Sequence, residues 1–391
     1  MFVAVLAQQG GIVGGVGQAL AISLPLTEEG AERNHYVSKK IAIELAEEEN
    51  DIIQIAQLKK ELSLLGNPPD SKDDIYWALI ITVLTILLLI IGKFSLIEKF
   101  SIILVASFTF ITIVNLFALQ SHEAWAVQPE EIIRGLSFGF PEIKNGNNPL
   151  ITAISTFGII GVGAAELLAY PYWCIEKGYG KYVGPWEDNE TWLKRAKGWM
   201  TVMKWDAWGA MVVYTFCTIA FYLLGAAILG RSGLLPEGSE MIQTLSTMYE
   251  PVFGPLARSI FLTGAIAVLF STFFIAIAAQ SRLCLDVIKG SGFAQLNEKQ
   301  NSLGLKLLGI ALPFICVMCY VFFPKPVILV LISGTMQAIM LPLIGFAVLY
   351  FRYQKCHTRL IPGKIWDACL WLSFLGFLIT GAYQVYAKIF S

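Results

Sequence analysis

Nine stretches of the 391-residue chain run for about 17 to 27 residues with almost no charge, and this pattern constrains the fold more than any other feature. A stretch of roughly 20 apolar residues is what an α-helix needs to cross a bilayer. Backbone groups in lipid must be satisfied within the segment, so helices are the expected form. The runs are 1–27, 75–91, 100–120, 150–174, 207–230, 259–280, 307–323, 327–351 and 368–387. Charged residues make up only 15% of the chain, against about a quarter in an ordinary soluble domain. We therefore expect an all-α polytopic membrane protein, residues 1–391 forming a single membrane domain of about nine spans with no independent soluble domain. A net charge of -1 argues against a nucleic-acid partner, which would select a basic surface. The N-terminal MFVAVLAQQGG has neither a positive leader nor a small-residue cleavage site, so it does not read as a signal peptide.

The first run carries Gly10, Gly11, Gly14, Gly15 and Gly17, a density of small residues that lets helices approach closely. A polar stretch follows from Glu28 to Asp74. Apolar residues at helical spacing among dense charge in Val37 to Leu65 predict an amphipathic surface helix, stopped by Asn67-Pro68-Pro69-Asp70. Lysine and arginine give the orientation. Connections on the starting side of the first span hold sixteen of them, whereas the short connections on the other side hold six. The starting side is therefore expected to be cytoplasmic, and the 28–74 insertion extracytoplasmic, in a plasma or inner membrane. Trp125, Trp186, Trp192, Trp366 and Tyr386 fall near span ends, where interfacial anchors belong.

One run differs in kind. Gly158 to Trp173, GIIGVGAAELLAYPYW, holds three glycines, then Glu166 deep in apolar sequence, then Pro171. A charge at bilayer depth costs at least about 2.5–3.5 kcal/mol on insertion scales and usually faces a cavity or a partner. Glycines and a proline make a break in the helix plausible, and broken helices at mid-membrane present carbonyls and half-helix ends to a transported solute. Carboxylate and carbonyl oxygens suit a hard divalent cation. The plainer reading is a structural carboxylate bonded to a neighbouring helix. Gln337, in SGTMQAIMLP, stands between ligand and interhelical hydrogen-bond partner; Gln9, Gln18 and Asn115 read as such partners. Lys204 and Asp206 read as a solvated pair at a span boundary.

Signs of catalysis are missing. There is no phosphate-binding loop, no histidine pair on a helix and no dinucleotide fingerprint after a strand, so we expect a non-enzyme without cofactor. His35, His122 and His357 all lie in connections and offer no intramembrane proton relay. Cys316 and Cys319, one turn apart in an apolar run, read as small buried hydrophobes rather than a redox or metal pair.

Four stretches taken in order carry a resemblance. They are EEIIRGLSFGFP (Glu130–Pro141), GIIG (Gly158–Gly161), LFSTFFIAIAAQ (Leu269–Gln280) and ISGTMQAIMLP (Ile332–Pro342). Together they resemble the Nramp family of divalent-metal transporters, from its third span to its eleventh. The resemblance implies a LeuT-like fold of inverted five-helix repeats, here without its first two helices, and it implies transport of a divalent metal ion as substrate. The family's first-span Asp-Pro-Gly-Asn break has no counterpart. Where its sixth span has Met-Pro-His, this chain has Ala165, Glu166 and Leu167. The family's metal-binding carbonyl matches Val162, and its acidic third-span pair matches Gln9 and Ile12.

The expected metal-site residues are therefore Glu166, Val162, Ala165 and Gln337, with Ala165 replacing a soft thioether. The loss of sulfur tilts the substrate toward magnesium or manganese. Two alternatives stay open: a related transporter of organic solutes with Tyr170, Tyr172 and Trp173 lining its pocket, and a truncated membrane protein that does not transport. The partners implied are the metal ion and the lipid bilayer; the sequence specifies no oligomeric state.

Overall fold

The computed structural model describes residues 1–48, 52–91, 94–137, 139, 149–160, 163–292 and 297–390. Every regular element among the described residues is helical. In chain order the first are α1 (Phe2–Ser23), α2 (Glu28–Glu48), α3 (Ile52–Leu65), α4 (Asp73–Ile91) and α5 (Phe94–Leu119). Then come α6 (Pro129–Leu136), α7 (Pro149–Phe157), α8 (Ala164–Glu176), α9 (Tyr179–Val183) and α10 (Glu190–Leu224). A π-turn over Gly225–Leu229 leads from α10 into α11 (Gly230–Ser232), followed by the short α12 (Met241–Ser246) and α13 (Glu250–Phe253). The last four are α14 (Ala257–Gly290), α15 (Glu298–Phe322), α16 (Pro326–Gln354) and α17 (Lys364–Phe390).

Eight helical segments among the described residues are long and apolar enough to cross a membrane. They correspond to eight of the nine apolar runs. The ninth run, 150–174, is split: α7 ends at Phe157 and α8 starts at Ala164.

The chain forms two compact units. One comprises Gln9–Gly139 and Phe216–Val330. Its core gathers Phe108, Leu224, Ile228, Tyr249, Phe261 and neighbours around the π-turn. Gly264 makes this packing possible, because a Cβ there would collide with the Phe108 ring. Phe108 in turn stacks on Tyr249 with ring centroids 6.1 Å apart. Asn115 donates to the Met248 carbonyl at 3.0 Å and Gln18 to that of Gly238 at 2.8 Å, so both bond to backbone across the fold, as expected of them. Gln9 is buried with its Oε1 unpartnered.

The polar stretch differs from its expectation. It forms two helices, α2 and α3, in place of one from Val37 to Leu65. Lys59 pairs with Glu47 at 2.7 Å and Lys39 with Glu61, fastening α3 to α2. α2 buries Val37 and Ile41 in the core, whereas α3 buries nothing. Trp125 also departs from its expected place. It is 5% exposed, drawn into the core because Arg231 donates to the carbonyls of Ala124 and Ala126 and pairs with Glu131.

The second unit comprises Met1–Gln8, Phe140–Thr215 and Leu331–Ser391. The described parts of α7, α8, α16 and α17 meet here. Gly158 and Gly334 face each other: a Cβ on Gly158 would strike the Gly334 carbonyl, and one on Gly334 the Ser155 carbonyl. Small residues bring two helix backbones together in this way where lipid offers no hydrophobic drive. Trp186 and Trp366 are exposed, and Asp206 pairs with Lys177 at 3.5 Å rather than with Lys204, which lies over the Trp366 ring.

Candidate functional site

The gap between α7 and α8 leaves helix ends whose backbone groups need partners. Turn bonds finish the α7 side: the N–H groups of Gly158, Ile159 and Ile160 reach the carbonyls of Ser155 and Thr156. On the α8 side the N-cap is Gly163, which has no side chain to cap with. Gln337 of α16 does so instead, its Oε1 accepting from the Ala165 N–H at 3.1 Å. A Cβ on Gly163 would lie 2.5 Å from Glu166 Oε2 and 2.6 Å from Gln337 Oε1, so the two polar heads occupy the space that its missing side chain leaves.

Gln337 has no solvent exposure and uses both ends of its amide. Its Nε2 donates to Ser333 Oγ and to Gln8 Oε1, each at 3.0 Å. Gln8 Nε2 points on to Glu166 Oε1 at 3.4 Å, a weak bond. The result is a chain of polar side chains, Ser333–Gln337–Gln8–Glu166, arranged on the first turn of α8. Glu166 lies in that first turn and is the exposed end of the chain. The N-terminal end of a helix is a favourable place for negative charge.

The expected site residues fare differently. Glu166 and Gln337 come together. Ala165 joins them through its backbone N–H, while its methyl is 97% buried, with 3% exposed. Val162 lies outside the described residues. Gln8 and Ser333 were not anticipated. Ser333 carried a readable signal, standing four residues before Gln337 and so on the same helix face. Tyr170, proposed for an aromatic pocket, turns its hydroxyl to Asp206 at 3.4 Å.

No group of three or more His, Cys, Asp or Glu side chains converges among the described residues. The centre at Gly163 holds one carboxylate and two amides. These are hard oxygen donors, the chemistry of magnesium, manganese and calcium rather than of soft metals. Cys316 and Cys319 belong to α15, away from these helices, and Cys174 lies near the far end of α8.

An all-helical membrane chain with one discontinuous helix whose half-helix end meets polar side chains has the build of a secondary transporter. A family profile described as natural resistance-associated macrophage protein-like, Nramp, matches residues 62–387. The chain belongs to the Nramp family, and its fold is that family's LeuT-type helical fold. It is an integral membrane protein of a family that transports divalent metal ions. α1, α2 and most of α3 precede the match, so the likeness of the first span to the family's third rests on its own residues. No curated protein matches the chain.

Proposed function

We propose that this protein carries a hard divalent cation, magnesium or manganese, across the membrane by alternating access around the α7–α8 break. The observation that supports this reading most directly is the meeting of Glu166 and Gln337 beside Gly163, with Gln8 bonded to both. Glu166 supplies charge and Gln337 and Gln8 supply amide oxygens. The Val162 carbonyl, by its place in the motif, is the fourth ligand. A cation arriving here keeps part of its water, as magnesium does when only one or two carboxylates are offered. Ala165 in place of a thioether removes the soft ligand that would favour transition metals.

With no histidine in a span, and Gln9 and Ile12 where the family has acids, transport is expected to proceed without stoichiometric proton entry. The excess of Lys and Arg in the connections on the starting side supports a cytoplasmic 177–204 and an outside 28–74. The deciding experiment is calorimetric titration of magnesium, manganese and cadmium into folded wild-type and Glu166→Gln protein. We expect magnesium and manganese to bind the wild type and to lose most of their affinity in the variant. Unchanged affinity in a folded Glu166→Gln protein would return Glu166 to a structural role.

A further inference from the structure

The α7 side of the break is held from two helices through one side chain. Ser155, one turn before Gly158, is 4% exposed. Its Oγ accepts from Gln384 Nε2 of α17 at 3.1 Å and from the Thr335 hydroxyl of α16 at 3.0 Å. Its carbonyl accepts from the Gly158 N–H at 3.2 Å and occupies the space that a Cβ on Gly334 would need. A further glycine lets α17 come close enough to reach: a Cβ on Gly381, one turn from Gln384, would lie 2.7 Å from Pro342 Cγ of α16. Thr335 stands two residues before Gln337, which caps Ala165. Residues two apart do not share a helix face, so α16 meets α7 and α8 on different sides and holds both ends of the break.

Gln384 is fully buried, and its Oε1 has no hydrogen-bond partner among the described residues. A buried acceptor left unmatched is costly, and an apolar side chain of the same shape would remove that cost. The stability of the fold therefore gives no reason for an amide at this place. The hydrogen bond to Ser155 does. The stretch from Gly158 to Gly163 hangs from the end that Ser155 fixes, and it carries the Val162 carbonyl that the proposed function makes a ligand. A carbonyl on a short connection points where the ends of that connection put it. Groups that orient a ligand without touching the ion change metal affinity by about 10- to 100-fold when removed.

We propose that Ser155 and Gln384 are a positioning pair for the metal centre: Gln384 holds Ser155, Ser155 holds the end of α7, and the connection then presents its carbonyl to the cation. This rests on the proposed function. The test is titration of manganese and magnesium by calorimetry, with the thermal unfolding midpoint measured on the same detergent-solubilised samples. The samples are wild type, Glu166→Gln, Ser155→Thr, Gln384→Leu and the double variant Ser155→Ala with Gln384→Leu. Replacing both partners of a buried hydrogen bond by apolar groups can be nearly neutral for stability. We expect the double variant to keep its midpoint and to lose about tenfold or more in affinity for both ions. Ser155→Thr, which keeps the hydroxyl, should bind as the wild type does. Unchanged affinity in the folded double variant, beside a loss in Glu166→Gln, would overturn this inference and leave the metal reading standing. So would a loss of affinity that follows a lowered midpoint, or one that Ser155→Thr shares. Should the double variant not fold, Gln384→Leu alone is read in the same way. A wild type that binds neither ion would overturn the metal reading and this inference with it.

Discussion

Two glycine-built helix contacts in this protein lead to opposite results. At Gly14 and Gly17 an uninterrupted α1 is approached by α15 and α4, and the side chains brought together are carboxylates closed in by hydroxyl and backbone donors. At Gly158 and Gly334 the approached helix has stopped, and an amide from α16 caps the new helix start beside an exposed carboxylate. Close packing alone makes a junction. Close packing against a break makes an open end, because free N–H groups recruit polar partners that a continuous helix would not need. Asp73, which accepts from the N–H groups of Leu26 and Thr27, is consumed by structure, whereas Glu166, exposed, holds a long bond from Gln8.

The contrast predicts where substitutions hurt most. The largest effect should come from Gly334→Leu, since its side chain would run into the Ser155 carbonyl, a backbone group that cannot swing aside. Forcing it in should cost more than about 3 kcal/mol and leave little monodisperse protein by size-exclusion chromatography. A well-folded, fully stable variant would show that the crossing is looser than described. Next is Gln337→Leu, which strips the cap from Ala165 N–H and the partner from Gln8. A buried donor left alone costs about 1–3 kcal/mol, so the melting temperature should fall and metal affinity with it. Stability unchanged while affinity falls would make Gln337 a ligand only.

Ala165→Met should act on selectivity. Its sulfur favours cadmium, so the ratio of magnesium to cadmium affinity should move toward cadmium. Because the Ala165 methyl is buried, a parallel loss of both ions with lowered stability is the result that would remove it from the ligand set. The smallest effect concerns the α2–α3 hairpin. The bond from Lys39 holds the Glu61 carboxyl below the ordinary carboxylate value. A depressed carboxylate contributes stability above its unfolded pKa and loses it as pH falls through the folded one. Acidification should therefore raise amide exchange in α3 before it does so in α1, and Glu61→Gln should abolish that difference. Uniform exchange at all pH values would show that the pair contributes nothing.

The spans and the break were legible because charge is so costly in lipid that its rare occurrences mark function. Glu166 could be named from that alone, and Gln337 from its glycine- and proline-punctuated span. Gln8 could not. α1 is apolar and glycine-rich all round, so no hydrophobic face sets its rotation, and the sequence gives no reason to prefer Gln8 over Gln9. Packing makes the choice: Gln9 is buried with its Oε1 unpartnered, and Gln8 reaches Glu166. Ala165 was read through its side chain, while the structure uses its N–H, a group that every residue but proline carries. The hairpin was read as one helix because both halves share the same spacing, and the ion pairs that fold them together join residues twelve and twenty-two apart.

The Gln337 oxygen has a further consequence. It fastens the start of α8, and in the proposed site it is also among the oxygens offered to the cation. An amide oxygen carries two lone pairs, so both duties can fall on it at once. A cation draws electron density away from the oxygen it touches and leaves that oxygen a poorer acceptor for the Ala165 N–H. On the proposed function, occupancy would thus loosen the first turn of the half-helix, and departure would tighten it again. The atom that would recognise the cargo would in this sense also be the hinge pin, with load and motion meeting without any relay between them.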